Sequence, residues 1–287
     1  MPVKRWTGDS LADHVPAHPY AGQRAALATQ HGKAQALGPP LARRLGLIID
    51  NAAIDTDQFG TFTGTINRTG TPAQAALAKA RAGMAATGLP LGLASEGSFG
   101  PHPWLPFGAG GVETIAFIDA TRGLELTLSA VSRRTNFAQQ EVRAGTDIAP
   151  FLTRIGFPAH ALVVKGPDGT LLASGVTEMA MLSPLAWPGN RLETDMRAHM
   201  NPTRMAAIRS LAGRLAVRLA ALCPACDCPG WGQVDVMRGL PCSACGQPTQ
   251  SVVAIIDGCT ACGHQASRPR PDGVTAASPA SCDWCNP

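Results

Sequence analysis

The sequence predicts an α/β fold, a mixed sheet flanked by helices, followed by a small cysteine-rich module of different character. Three observations carry this. Short β-prone runs alternate with helical stretches through about residue 175, the pattern of helices packed on a sheet. Hydrophobic residues make up 45% of the chain but aromatics only 5%, so the core must rest on Ala, Leu, Ile and Val. All nine cysteines lie beyond residue 222. At roughly 150 residues per domain, 287 residues suggest about two domains. The expected organisation is a flexible arm over 1–20, an α/β domain over 21–200, a connecting helix over 201–222 and the cysteine-rich module over 223–287.

The arm mixes Pro, His, Asp and Gly without periodicity. Ala25 to Thr29 is a short apolar run suited to a strand, and the helical stretch after Lys33 is interrupted by Gly38-Pro39-Pro40. Proline removes a helical hydrogen bond, so a kink or two short helices are expected there. Leu45 to Ile49 reads as a second strand. Thr71 is suited to cap a helix with Pro72 in its first turn and Gly88 at its end. Leu89 to Ala94 reads as a strand, ending in a loop from Ser95 to Pro101. Val112–Asp119 and Leu124–Val131 flank Thr121-Arg122-Gly123 and read as a hairpin. Ala161–Lys165 and Thr170–Ala173 flank the turn Pro167-Asp168-Gly169. Asn201 and Pro202 then open a helix whose residues Ile208, Leu211, Leu215, Leu219 and Leu222 form one apolar stripe.

A net charge of +4 is modest for this length and does not by itself imply a nucleic-acid partner. No run of about 18 apolar residues is present, so no membrane span is expected. Met1 to Asp13 lacks the apolar segment of a secretory signal. A reducing, cytoplasmic location is the expectation, and there cysteines more often bind metal than form disulfides.

The cysteines fall as four CxxC pairs, Cys223/Cys226, Cys242/Cys245, Cys259/Cys262 and Cys282/Cys285, with Cys228 left over. A CxxC turn aims two thiolates at one point, and two turns complete a tetrahedral zinc site with Zn–S near ~2.3 Å. The expectation is a zinc-ribbon-like module with two structural Zn2+ ions, each closed by four cysteines. Spacing leaves the pairing open: sequential pairing joins the first two knuckles and the last two, whereas interleaved or nested pairing would suit single strands between knuckles. From Pro202 onward there are seven Lys/Arg and five Asp/Glu, a net of +2. Two four-thiolate zinc sites, each contributing about −2, bring this to about −2. A protein partner or scaffold role is therefore at least as well supported as a nucleic-acid partner.

Two stretches carry candidate chemistry. Glu96 falls in the Gly/Ser/Pro-rich segment after a hydrophobic run, where functional residues concentrate. Further on, Glu193, Asp195, Arg197, His199 and Asn201 alternate with Thr194, Met196, Ala198 and Met200. As a strand this puts all five polar groups on one face, and as a helix it merely pairs them at i,i+4. Asn201-Pro202 as a helix start favours the extended reading. Such a face could supply metal ligands, a general base (Asp195, His199) or an edge that recognises a ligand (Arg197). Arg133, Arg134, Thr135 and Asn136 form a third, weaker set for anion contact.

Residues from about 25 to 145 resemble the inosine/xanthosine triphosphatase superfamily. The matching stretches are Leu27-Ala28-Thr29 with Lys33, Ala75 to Arg81, and Leu91-Gly92-Leu93-Ala94-Ser95-Glu96-Gly97. The resemblance implies that Thr29 and Lys33 contact phosphate, that Lys79 or Arg81 assists, and that Glu96 holds Mg2+ or Mn2+ or positions water. The superfamily usually carries acidic residues just before the helix, where this chain has Thr69-Gly70-Thr71-Pro72, and Asp55 and Asp57 lie further upstream. Lys33 and Lys79 read equally well as solvated helix charges. The whole chain also resembles an uncharacterised bacterial family that joins such an α/β part to a cysteine-rich tail. The functional expectation is a metal-dependent hydrolase of nonstandard nucleoside triphosphates or other phosphoesters, with a structural zinc tail. Its alternative is a non-catalytic zinc protein that docks a protein or nucleic acid.

Overall fold

The computed structural model describes residues 18–29, 32–56, 59, 70–102, 105–132 and 135–287. Three sheets organise them. The first is five-stranded: β1 (Arg24–Ala28), β2 (Ile48–Ala52), β3 (Leu91–His102), β4 (Leu105–Asp119) and β5 (Leu124–Ser132), in the order β2-β1-β3-β4-β5. β1 runs parallel to both β2 and β3, while β3, β4 and β5 are antiparallel. The sheet is therefore mixed, as expected.

Helix α1 (Ala34–Leu45) connects β1 to β2 and α2 (Pro72–Thr87) leads into β3. The two lie on opposite faces, as the strand alternation shows. Ala25 and Leu27 share a core with Leu37 and Leu41 of α1, whereas Ala28 and Ala94 pack with Ala80 and Leu77 of α2. Close approach of α2 explains its alanine richness: a methyl on Gly92 would lie 2.6 Å from the Met84 sulfur and 2.9 Å from the Ala80 carbonyl. The capping box at Thr71 and Gln74 is formed, with Gly88 ending the helix in the left-handed region. Helix α5 (Pro202–Ala220), capped by Asn201, lies beside α1. Its Ile208, Leu211, Leu215 and Leu219 are fully buried in the main core, so it belongs to the α/β body and is more than a connector. Leu222, by contrast, is 40% exposed.

The second sheet is antiparallel, β6 (Gln139–Glu141), β9 (Arg191–Thr194), β7 (Leu162–Lys165) and β8 (Leu171–Val176) in that order, with its own core under α3 (Ala149–Ile155) and α4 (Met179–Leu182). The third is the meander β10 (Gly232–Arg238), β11 (Val252–Gly258) and β12 (Gln265–Pro269) within the cysteine-rich tail.

Several expectations need correction. The prolines do not divide α1, which is continuous through Pro39 and Pro40. The Gln35 carbonyl, which loses its helical partner to Pro39, accepts a hydrogen bond from Arg209 of α5 at 3.3 Å. The second strand begins at Ile48 and not Leu45, because α1 runs to Leu45 and Gly46 turns the chain. Ser95 to Pro101 is not a loop but part of β3, held in register by β4 along its length. The arm is anchored at its end: Tyr20 is fully buried and donates to Asp119 at 3.0 Å, and His18 contacts the Leu219 carbonyl at 3.0 Å. Residues 1–17, Asp57, Thr69, Arg133 and Arg134 lie outside the described residues. Among the described residues, no helix is long and apolar enough to cross a membrane.

Candidate functional sites

In the first sheet, strand order reverses at β1: the chain leaves through α1 to β2 on one side and returns through α2 to β3 on the other. In open α/β sheets the crevice at the carboxyl ends of the strands flanking such a point is where ligands bind. Thr29 and Lys33 follow β1 at that edge. β1 pairs with β3 only as far as Ala28 and Ala94. The next carbonyl of β3, that of Ser95, accepts instead from the Lys33 amine at 2.9 Å.

Around Lys33 the sheet separates two buried ion pairs by strand alternation. Glu96 pairs with Lys79 of α2 at 2.6 Å. Glu113 of β4, opposite Gly97, pairs with Arg204 in the first turn of α5 at 2.6 Å. Arg204 also donates to the Met196 carbonyl and lies over the Phe99 ring, 5.1 Å from its centroid. Gly97 makes room for this: a methyl there would run into the Arg204 guanidinium. Lys33, Lys79, Glu96, Glu113 and Arg204 are all buried, none more than 6% exposed. Three buried cations thus face two carboxylates. Burial pushes the Lys33 amine down to about 7, with the Arg204 charge adding to the shift. The Ser95 hydroxyl, buried at the same edge, has no hydrogen-bond partner among the described residues.

The polar stretch 193–201 is neither one strand nor one helix. It is extended to Thr194, and Ala198–Met200 forms a short 3-10 turn, so its five polar groups do not share one face. Glu193 pairs with Lys165 and Arg191 at 2.9 and 2.6 Å. Asp195 is buried and holds Arg197 at 2.6 Å and the Gly175 amide at 3.1 Å. His199 is exposed, its pKa lowered by partial burial and by Arg197. Asn201 caps α5 through the Arg204 amide at 3.0 Å and holds Asn136 at 2.8 Å.

Two links tie this stretch to the first cluster: the Arg204 contact with Met196, and the approach of Gly32 to His199, where a methyl on Gly32 would come within 4.0 Å of the His199 Cβ. A cleft lined by Phe99, Glu113, Met196 and Arg204 adjoins a second lined by Phe137, Lys165, Asp195 and Arg197. Arg81 stands apart, exposed and paired with Glu125 at 2.6 Å. Glu113 and Arg204 were not singled out in the sequence, although the α5 stripe extended back by four residues from Ile208 falls on Arg204.

The cysteine sites follow from the meander. One antiparallel strand separates each knuckle from the next, so successive knuckles arrive at opposite ends of the sheet. The first and third share one end, the second and fourth the other. Cys223, Cys226, Cys259 and Cys262 form one cluster and Cys242, Cys245, Cys282 and Cys285 the second, so pairing is interleaved. Sulfur–sulfur distances are 3.8 Å for Cys223–Cys262 and Cys226–Cys259, 3.9 Å for Cys242–Cys285 and 3.7 Å for Cys245–Cys282. A tetrahedron with metal–sulfur bonds of ~2.3 Å has edges of about 3.8 Å, and a disulfide would need about 2.05 Å.

Left-handed residues follow three of the four CxxC turns, Asp227 with φ 54°, Gly246 with φ 74° and Gly263 with φ 75°. The amide N–H groups of Cys245 and Ala244 pull the Cys242 thiol down to about 7. The neighbouring Cys245 thiol pushes Cys285 up to about 12. Four thiolates this close need a cation between them, so both sites could hold metal ions. Among the described residues these are the groups of three or more His, Cys, Asp or Glu arranged to do so. Cys228 is buried beside Cys259 and joins neither set.

Residues 79–287 match the family described as a domain of unknown function, DUF6671, and the chain belongs to that family. The matched span contains Lys79, Glu96, Glu113, Arg204 and both cysteine sets, whereas Lys33 precedes it. No curated protein and no solved structure matches the chain. The comparisons do not confirm the likeness to the inosine/xanthosine triphosphatase superfamily.

Proposed function

We propose that this DUF6671 protein binds a small phosphate-bearing ligand, a nucleotide or other phosphoester, at the edge where β1 and β3 part. The observation that carries this is the Lys33 amine, a buried cation in excess of the two ion pairs beside it. An isolated buried charge is costly, and an anion held there would supply the missing partner. Thr29 and the Ser95 hydroxyl are placed to add hydrogen bonds, with Lys79 and Arg204 contributing positive potential from the two faces of the sheet. Asp195, Arg197 and His199 border the neighbouring cleft and would meet the rest of the ligand. Among the described residues, the carboxylates beside Lys33, Glu96 and Glu113, are each matched to a cation, so the arrangement supports recognition of an anion more directly than Mg2+ or Mn2+ chemistry or hydrolysis.

The cysteine tail is read as a structural scaffold holding two Zn2+ ions. The sulfur spacing fits zinc, and four thiolates per site leave no position for substrate. The domain boundaries follow the same logic, with an α/β body and a metal-held module from residue 223.

Calorimetric titration with nucleoside triphosphates and inorganic phosphate, with and without Mg2+, tests the ligand reading, and phosphate release is assayed in parallel. Binding should weaken at least tenfold in Lys33→Met, and should weaken as pH rises through about 7 and the amine loses its proton. No binding of any phosphate compound at millimolar concentration, or equal affinity in Lys33→Met, overturns it. Turnover abolished by Glu96→Gln would restore the hydrolase reading. Elemental analysis should find zinc at two ions per chain.

A further inference from the structure

Helix α5 runs on from Arg204 toward the cysteine module. Its residue Arg214 lies about 15 Å further along the axis, at 1.5 Å per residue. There the helix, β5 and the three-stranded sheet enclose a groove of about 950 Å³. Arg214, Val217 and Arg218 line it from the helix, and Trp231, Val234 and Arg268 from the sheet. Among the described residues, no acidic side chain lines it. Of the tail's acidic groups, Asp272 pairs with Arg270, while Asp257 pairs with the groove-lining Arg268 at 2.6 Å and also acts on Arg218, which leaves Arg214 and Arg218 as the cations not matched by an ion pair.

Arg218 is fixed by the carbonyls of Gly230 and Gln233 at 2.6 and 2.7 Å. Gly232 lies where it crosses, with a φ of 144° that favours glycine there. Arg214 is exposed and makes no ion pair among the described residues. Val217 and Val234 are 54% and 43% exposed, apolar surface left open inside a cationic rim. Gly213 also lines the groove, and a methyl on it would meet nothing within 4 Å. Packing does not demand this mid-helix glycine, which costs about 1 kcal/mol relative to alanine, and it leaves the helix backbone open to an approaching chain.

We infer that this groove binds a single-stranded nucleic acid, with phosphates along Arg214 and Arg218 and bases against the two valines and the part of Trp231 that lines the groove, its ring being stacked on His264 elsewhere with centroids 5.4 Å apart. Cations that track a backbone beside an aromatic and apolar platform are what an unpaired strand requires. A poly-glutamate peptide would use the arginines but brings no ring or apolar group to Trp231 and the valines. The surface is independent of the phosphate site at Lys33.

Fluorescence anisotropy on the metal-loaded full chain tests this, with labelled single-stranded RNA and DNA 12-mers, a duplex and a poly-glutamate peptide. Strands should bind more tightly than duplex or peptide. Two phosphate contacts give a slope of log K against log salt of about −1.4. Arg214→Glu, at an exposed position, should weaken strand binding at least tenfold, while Arg143→Glu, also exposed, leaves it unchanged. Trp231→Leu should weaken binding without changing the salt slope. No strand binding at low salt, peptide binding as tight as strand binding, or a harmless Arg214→Glu overturns the inference.

Discussion

Replacing Arg204 by methionine is the most informative single change to the α/β body. Both partners of its ion pair are buried, the Arg204 side chain fully and Glu113 at 5% exposure, and they meet at 2.6 Å. The variant leaves Glu113 charged, dry and unpaired, which costs about 3–5 kcal/mol. At roughly 2 °C per kcal/mol for a chain of this size, the melting temperature should fall by on the order of 10 °C. Replacing both partners, as Arg204→Met with Glu113→Leu, removes the stranded charge and should recover most of that loss. Circular dichroism melts of wild type, both single variants and the double variant form the necessary cycle. If the double variant loses as much as the two single variants combined, the pair is not the buried, mutually dependent unit described. A loss below about 1 kcal/mol for Arg204→Met would refute the burial argument outright.

The two cysteine sites should differ in reach. Cys259 belongs to the main core beside Leu219, whereas Cys282 does not, so Cys259→Ser should lower the melting temperature of the whole chain. Cys282→Ser should raise amide hydrogen exchange in the tail alone. Burial by itself would raise the Asp119 pKa, but hydrogen bonds from Thr121, Arg122 and Tyr20 outweigh it and hold the carboxyl below its usual value. Its contribution is full above about pH 4 and is lost as pH falls through the lowered value, so the melting deficit of Asp119→Asn should be present at pH 6 and shrink below pH 4. For Lys33 the folded pKa of about 7 lies below the unfolded value of 10.5, so unfolding takes up a proton between them and stability from this group rises with pH across that window. Ligand-free Lys33→Met should therefore melt higher than wild type at pH 6, with the gain fading toward pH 10.

Local signals in the sequence were legible and long-range ones were not. Thr71 and Gly88 bracket α2 because capping is decided within a few residues, and Asn201 caps α5 for the same reason. The CxxC spacing marks the candidate metal-binding cysteines but not which pairs cluster, since that depends on the direction of β10, β11 and β12. The Gly/Ser/Pro content from Ser95 to Pro101 reads as a loop, yet β4 pairs with it throughout, a tertiary contact that overrides composition. Alternation placed the five polar groups of 193–201 on one face, but the turn at Ala198–Met200 gives Asp195, His199 and Asn201 separate surroundings. Lys33 looks like an ordinary helix charge until β1 ends short of β3 and its amine fills the gap.

Because the cysteine clusters alternate along the chain, each metal ion would clasp a loop containing one knuckle of its neighbour. Losing either ion would lengthen the untied chain around the other, raising the entropy its binding must overcome. The tail could not have been assembled from two self-sufficient cassettes, and neither half of it could be transplanted alone.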